Sequence, residues 1–368
     1  MRKSLLVLFF LFAGATSASA QSPRPVLAIK GLDPVALASG KEVAGKESIG
    51  AIYGLFEYHF ASEENRKEFL KDPQGHGVQF GGACGKMGPF SGMGSPDRYF
   101  VHAGKIYLFA SEGCREGFKA APEQHIEVAN PVPTGTAEEK KRGTELIELA
   151  LKGFGGKDKV DSLKSLEIHE ASVYVIDGKE TAYPHRLKFR FPLEVLLEDD
   201  FGSIYGYVVA GDKASQIAKE EMWPLESLVR DVARRQVLRY PILMLKNREH
   251  QDFVAFGRAD GVVGDIAVKR LEVALYGATS TWSIDPATGR VLEVAYFARQ
   301  ARNGDNVVQY SDFRNVDGLT LPYARKRFFN GKESKSPVIR LEKYVVNGAI
   351  DDPRFVDAAK LELKEIVK

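Results

Sequence analysis

The sequence predicts an α+β protein in two domains: a small strand-and-helix unit present in two copies, then a curved antiparallel half-barrel with covering helices. Three observations predict it. Tyr58-His59-Phe60-Ala61-Ser62-Glu63 returns as Tyr107-Leu108-Phe109-Ala110-Ser111-Glu112, and the match continues without a gap, pairing Arg66 with Arg115, Phe69 with Phe118, Pro73 with Pro122 and His76 with His125; such a repeat is a strong organisational signal. Asn130-Pro131-Val132-Pro133-Thr134-Gly135, with the charged run Glu138 to Arg142 after it, has the composition of a linker. Beyond it, strand-like runs are punctuated by Asp177-Gly178, Asp260-Gly261, Asn303-Gly304, Asp317-Gly318 and Asn330-Gly331, the dipeptides that type I′ hairpins favour. The expected boundaries are a signal peptide over 1–20, a first domain over 26–129, a linker over 130–143 and a second domain over 144–368.

Arg2 and Lys3, the apolar run from Leu5 to Ala13 and the small residues Ala18-Ser19-Ala20 before Gln21 have the layout of a secretory signal peptide. Its apolar core falls well short of the roughly 20 residues a spanning helix needs, and no later stretch reaches that length. No Cys follows the cleavage site, so no lipid anchor is expected there. The mature chain is expected in the periplasm or outside the cell, without a transmembrane segment. Loss of Arg2 and Lys3 brings the 51 Lys and Arg residues to 49, equal to the 49 Asp and Glu. A balanced chain without a basic tract lacks the electrostatic footprint of a nucleic-acid binder.

In the first domain, Ala51 to Phe60 carries β-branched and aromatic residues at strand spacing. Ser62 then caps a helix, Phe69 and Leu70 form its buried face and Pro73 ends it. Ile106 to Phe109, Ser111, Phe118 and Pro122 repeat that order. Neither copy is large enough to enclose a core, so the two are expected to pack together.

The second domain opens with a helix over Leu146, Ile147, Leu149, Ala150 and Leu151, broken by Gly153-Phe154-Gly155-Gly156. Strands are expected at Leu166–Ile176, Leu187–Phe191, Ile204–Val209, Phe253–Phe256, Ile266–Leu275, Val291–Phe297, Val307–Phe313 and Val338–Val346. One helix interrupts them. Pro224 is expected in its first turn, Leu225, Leu228, Val229, Val232 and Ala233 on its apolar face, Glu226, Arg230 and Arg234 opposite, and Pro241 at its end or kink. A curved sheet and a one-sided helix place that helix across the open side of a partial barrel.

The loop Cys84-Gly85-Lys86-Met87-Gly88-Pro89-Phe90-Ser91-Gly92-Met93 holds two of the four methionines of the mature chain. Thiolate and thioether are soft ligands suited to Cu(I), and an imidazole from His59, His102 or His125 completes such a set. The candidate ligands are Cys84, Met87, Met93, Cys114 and His59, with copper the candidate ion. For Cys84 and Cys114, a disulfide and a pair of thiolate ligands both stay open. His76 and His125 follow helix ends, where an imidazole meets free carbonyls. His-Glu-x-x-His, Gly-x-Ser-x-Gly and a phosphate loop are all missing from the sequence, and no enzyme is expected.

From Gly31 to about His125 the chain resembles the YHS domain of secreted type. The resemblance is carried by Asp33-Pro34-Val35, Tyr58-His59-Phe60-Ala61-Ser62, Asn65-Arg66, Phe69, Asp72-Pro73 and the loop Gln79 to Cys84. It implies copper or heavy-metal binding through cysteines, but Ala36, Ala61, Ala110 and Asn65 stand where metal-binding members have thiols. Cys114 keeps one. From Glu145 onward the chain resembles the LolA and LolB-like superfamily of periplasmic lipoprotein carriers, on Gly155-Gly156, Leu163-Lys164-Ser165-Leu166, Tyr310-Ser311-Asp312-Phe313-Arg314, Val316 to Pro322 and Val346 to Phe355. That resemblance implies an unclosed antiparallel barrel covered by helices, with an apolar cavity. The expected function is a periplasmic or secreted carrier of an apolar ligand, a lipid or a lipoprotein, in the half-barrel. The alternative is copper or heavy-metal handling by the first domain.

Overall fold

The computed structural model describes residues 25–89, 91–126, 130–218, 221–225, 227–298, 304–360 and 366–367. The signal peptide, Phe90, Glu226 and Asn303 lie outside the described residues.

Two hairpin-and-helix units precede the linker, and the expected boundary at 144 is not strict: Ile366–Val367, from the far end of the chain, pairs with Lys46–Tyr53 of the first unit. Strands Lys46–Tyr53 and Phe56–Phe60 pair antiparallel and lead into the helix Glu63–Lys71; strands Ser95–His102 and Lys105–Phe109 lead into Glu112–Ala120. The hydroxyls of Ser62 and Ser111 accept from the N–H of Asn65 at 3.3 Å and of Cys114 at 3.2 Å, satisfying donors that a helix start leaves free. Phe69 and Phe118 are fully buried, the first against Tyr58 and Phe60, the second against Tyr107 and Phe109. Ile106 and Leu108 of the second hairpin share one core with Tyr58, Phe60 and Phe69 of the first unit.

Upstream of the hairpins the correspondence continues with a changed spacing. Ala28–Gly31 and Gln79–Gly82 are both short 3-10 turns with left-handed residues at their second and third positions. The N–H of Asp33 donates to Val43 at 2.9 Å and that of Cys84 to Gly92 at 3.0 Å; Gly45 donates to Gly31 and Gly94 to Gly82, both at 2.8 Å. Asp33 and Cys84 therefore occupy equivalent backbone positions. The loop after Cys84 is two residues shorter than the loop after Asp33, which hides the equivalence from an ungapped match.

After the linker come two seven-stranded sheets in which every strand pair is antiparallel. The first runs in the order Glu221–Pro224, Lys213–Ala218, Ile204–Ala210, Glu194–Asp200, Lys179–Arg190, Ser165–Ile176 and Val338–Val346. The second runs Val254–Val263, Ile266–Leu275, Ala278–Ile284, Val291–Ala298, Gly304–Val316, Leu319–Phe329 and Lys332–Glu333. Among the described residues no strand ladder joins the two sheets, so the barrel is not closed. Asp177-Gly178, Asp317-Gly318 and Asn330-Gly331 make tight turns with positive φ at both residues, as type I′ geometry requires. Asp260-Gly261 is a correction. It lies inside the strand Val254–Val263, where the register shifts between Arg258 and Gly261, and Asp260 is held by Arg142 and Lys269.

Pro224 is also corrected: it ends a strand, and the helix begins at Ser227. Val229 and Ala233 of that helix pack on Tyr207 and Val209. Pro241 opens a second short helix, Pro241–Lys246, whose Ile242 to Leu245 are buried in the core between the sheets. The helix Ala137–Gly153, begun by a capping box of Thr136 and Glu139, packs on the second sheet through glycines. A Cβ on Gly143 would fall 2.4 Å from the Ala255 carbonyl oxygen, and one on Gly153 would fall 2.0 Å from that of Gly289. Gly153→Ala is therefore expected to lower stability by about 1–3 kcal/mol in thermal unfolding, despite the better helix propensity of alanine.

The helix Pro353–Lys360 is pinned to the first sheet by a charge cluster. Asp352 accepts from Lys188 at 2.9 Å and from Arg354 at 2.7 Å, and Arg354 also reaches Glu198 at 2.7 Å. Burial alone would raise the Asp352 pKa, but hydrogen bonds from Arg354 and Lys188, with their charges, hold its carboxyl well below the usual range. A carboxyl depressed in the fold stabilises above its unfolded pKa of about 4 and loses that contribution as pH falls below it. Urea midpoints are expected to drop from about pH 4 downward, more steeply in the wild type than in Asp352→Asn.

Candidate ligand chamber and thiol pair

The interior between the two large sheets divides into an apolar slot and a polar chamber. Phe154, Leu166, Ile168, Ile242, Val291 and Leu321 are among the slot's lining residues, and its volume is about 50 Å³. The chamber holds about 330 Å³ and is lined by Tyr207, Arg239, Tyr296, Arg327, His185 and Asp199, among others. Tyr240, Tyr310, Arg325 and Ile339 line both, so the two spaces meet. Small-molecule pockets begin at roughly 300 Å³; the chamber reaches that size and the slot does not. Apolar side chains from the helices Ala137–Gly153 and Pro241–Lys246 fill much of the remaining interior.

Strand alternation explains the chamber's charge. Leu166, Ile168 and Glu170 lie on one buried face of Ser165–Ile176, so the acid points inward, with 1% of its surface exposed. Arg325 and Arg327 share one face of Leu319–Phe329 by the same alternation. Arg325 pairs with Glu170, and His185 holds Asp199 at 2.7 Å. Arg239 stacks on Tyr296, 4.4 Å from its ring centre, and Arg327 donates to the Pro337 carbonyl at 2.8 Å. Neither arginine has a carboxylate within ion-pair distance among the described residues. Burial foremost, and then the charge of Arg325, push the Arg327 pKa down, against the opposing effect of Tyr296, Tyr240 and Glu170. Burial pushes the phenols of Tyr207, Tyr240 and Tyr310 up, which keeps them neutral and able to donate.

None of these chamber residues was expected from the sequence. Glu170 in an otherwise apolar alternation was the signal that could have found them.

Of the candidate metal ligands, the structure brings two together. Cys84 is buried and Cys114 half-buried, both are free thiols, and Cys114 packs against the buried cluster that contains Cys84. Met87 and Met93 are 54% and 41% exposed. His59 stands on the first hairpin and pairs with Glu57 at 3.4 Å. Among the described residues no group of three or more His, Cys, Asp and Glu side chains is placed to hold a metal ion. Nor is any described helix long and apolar enough to cross a membrane.

No protein-family model matches the chain, and no curated protein matches it. The solved structures it resembles include a putative outer membrane lipoprotein-sorting protein domain from Vibrio parahaemolyticus, at 10% identity over 60% of this chain and 98% of that one, with a TM-score of 0.40. A DUF1329 family protein from Desulfovibrio piger is similar at 13% identity, covering 60% of this chain and 99% of that one, with a TM-score of 0.40. For a LolA superfamily protein from Nitrosomonas europaea the values are 11%, 57%, 95% and 0.39.

Proposed function

We propose that the protein is an exported, non-enzymatic binding protein whose half-barrel holds an amphiphile, the anionic end among the chamber arginines and the apolar end toward the slot. The observation that carries this reading is a chamber of about 330 Å³ in which Arg239 and Arg327 have no carboxylate partner among the described residues. Both arginines are half-buried; withdrawing a cation from water without a counter-charge is unfavourable, and an anionic ligand would supply one. Seven ring and guanidinium groups face that space: Tyr207, Tyr240, Tyr296, Tyr310, Arg239, Arg325 and Arg327. They offer donors and flat apolar surface together. A slot of about 50 Å³ takes the end of an acyl chain; the chains of a whole lipoprotein would need the helix Pro241–Lys246 to move.

The test is binding of a fluorescent fatty-acid analogue to delipidated protein, with an uncharged ester of the same chain beside it. Saturable binding of the acid is expected, weakened about tenfold or more by Arg327→Met, as loss of one charged hydrogen bond predicts. Equal binding of acid and ester, or no saturable binding, would refute the reading.

A second reading rests on the convergence of the two thiols. Cys84 and Cys114 fit a two-coordinate soft ion such as Cu(I), whereas His59 is not gathered with them. Anaerobic Cu(I) titration of reduced protein tests it, and wild type, Cys84→Ser and Met87→Leu behaving alike would reject it.

A further inference from the structure

The two cysteines stand in the second hairpin-and-helix unit where Asp33 and Asn65 stand in the first. The carboxylate of Asp33 accepts from the Asn65 side-chain amide at 2.7 Å, and from the N–H groups of Val35, Ala36 and Ala61 at 2.9, 3.0 and 2.7 Å. In the second unit Cys84 lies in a buried cluster and Cys114 packs against that cluster. The fold therefore gathers these two positions in both units, once as a hydrogen-bonded polar pair and once as two thiols of one packed cluster.

The two thiols differ in their surroundings. Cys84 is fully buried with Phe80, Tyr107, Phe109 and Phe118. Cys114 is half-buried, the third residue of the nine-residue helix Glu112–Ala120, with its N–H bound to Ser111. Lys86 reaches over Gly117 of the same helix. An accessible thiol in a first helical turn beside a lysine is in the setting that stabilises a thiolate. A hydrogen bond with the Ser111 side chain foremost, and then the Cys84 thiol and the Lys86 charge, lower the Cys114 pKa against the effect of burial.

We propose that Cys114 and Cys84 form a thiol–disulfide exchange pair that reduces a disulfide on a second molecule, with Cys114 attacking and Cys84 resolving. The Cys114 thiolate bonds to one sulfur of the substrate disulfide, the substrate S–S bond breaks, and the departing thiolate takes a proton from solvent. Cys84, giving up its own proton, then attacks Sγ of Cys114 and releases the second substrate sulfur as a thiol. Two electrons pass from the protein thiols to the substrate, and a Cys84–Cys114 disulfide remains. Burial fixes the order: a substrate meets Cys114 first, and Cys84 is enclosed behind it.

Reduced full-length protein mixed with dithiobis(nitrobenzoate), an aromatic disulfide, tests this. Each wild-type chain is expected to release two thionitrobenzoates from its two cysteines, retain no probe, and show the loss of two hydrogens in its intact mass. Cys84→Ser is expected to release one and keep the other as a mixed disulfide, and Cys114→Ser to react at least about tenfold more slowly. The exchange of Cys84→Asp together with Cys114→Asn installs the hydrogen-bonded pair of the first unit. It is expected to unfold thermally like the wild type and not to react, so the comparison survives if a single variant fails to fold. A wild-type chain that retains the probe, or single variants that react equally fast, would overturn the proposal.

Discussion

Asp33→Ala is expected to destabilise the first domain by about 3–5 kcal/mol, because the change strands several donors at once. Asp33 is wholly buried, caps the helix Pro34–Ala38, and ties it to Ala61 and Asn65 on the hairpin and helix that follow. Without the carboxylate, two peptide N–H groups on the helix, one at Ala61 and one side-chain amide lose their acceptor together. Both tryptophans, Trp223 and Trp282, lie beyond the linker, so the expected effect has a clear signature. Hydrogen exchange at Ala36 and Ala61 should accelerate while the tryptophan fluorescence transition in urea stays in place. A loss under about 1 kcal/mol would show that water can replace the carboxylate, and that the capping account is mistaken.

Arg325→Met carries the second large effect, about 3–5 kcal/mol, read from the fluorescence of the fully buried Trp282 during urea unfolding. Arg325 keeps 18% of its side chain exposed while Glu170 keeps 1%, and that exposure opens onto the chamber it lines. Removing the arginine leaves a buried carboxylate with neither a counter-charge nor its strongest hydrogen bond. Glu170→Leu combined with Arg325→Met should recover most of the loss, since two apolar groups need no pairing. If the double variant proves as weak as the single one, the pair's role lies in packing rather than charge. The double variant should also bind the anionic probe more weakly than wild type while remaining folded, which separates the chamber's chemistry from its contribution to stability.

Much of this architecture was legible in sequence where local chemistry is decisive. Ser62 and Ser111 start helices because a hydroxyl meets free N–H groups, and Asp317-Gly318 turns because both residues tolerate positive φ. Ile266–Leu275 and Val338–Val346 are rich in β-branched and other apolar residues, and the strands span the expected residues. Glu194–Asp200, Ala278–Ile284 and Leu319–Phe329 were missed because acids, Ser and Thr, or Pro322 mask their strand character, which comes from pairing with neighbours on both sides. Asp260-Gly261 misled for the opposite reason: a turn-forming pair is absorbed in a bulge that salt bridges hold. The chamber was hidden because Glu170 and Arg325 are 155 positions apart in sequence. The Cys84–Cys114 pairing was suspected as a disulfide, but its equivalence to Asp33–Asn65 needed the backbone hydrogen bonds that reveal a loop two residues shorter.

The strand Val338–Val346 lies beside Ser165–Ile176, and that placement orders how the chain can acquire its structure. The two hairpins before the linker pair strands that are neighbours in sequence, although Lys46–Tyr53 also takes Ile366–Val367 as a partner on its other side. The first large sheet cannot be completed until a strand from near the end of the chain returns to an edge laid down early, after the whole second sheet has intervened. Contacts between such distant positions are slow to form, and until then the edge of Ser165–Ile176 stands unpaired, open to the strands of other chains.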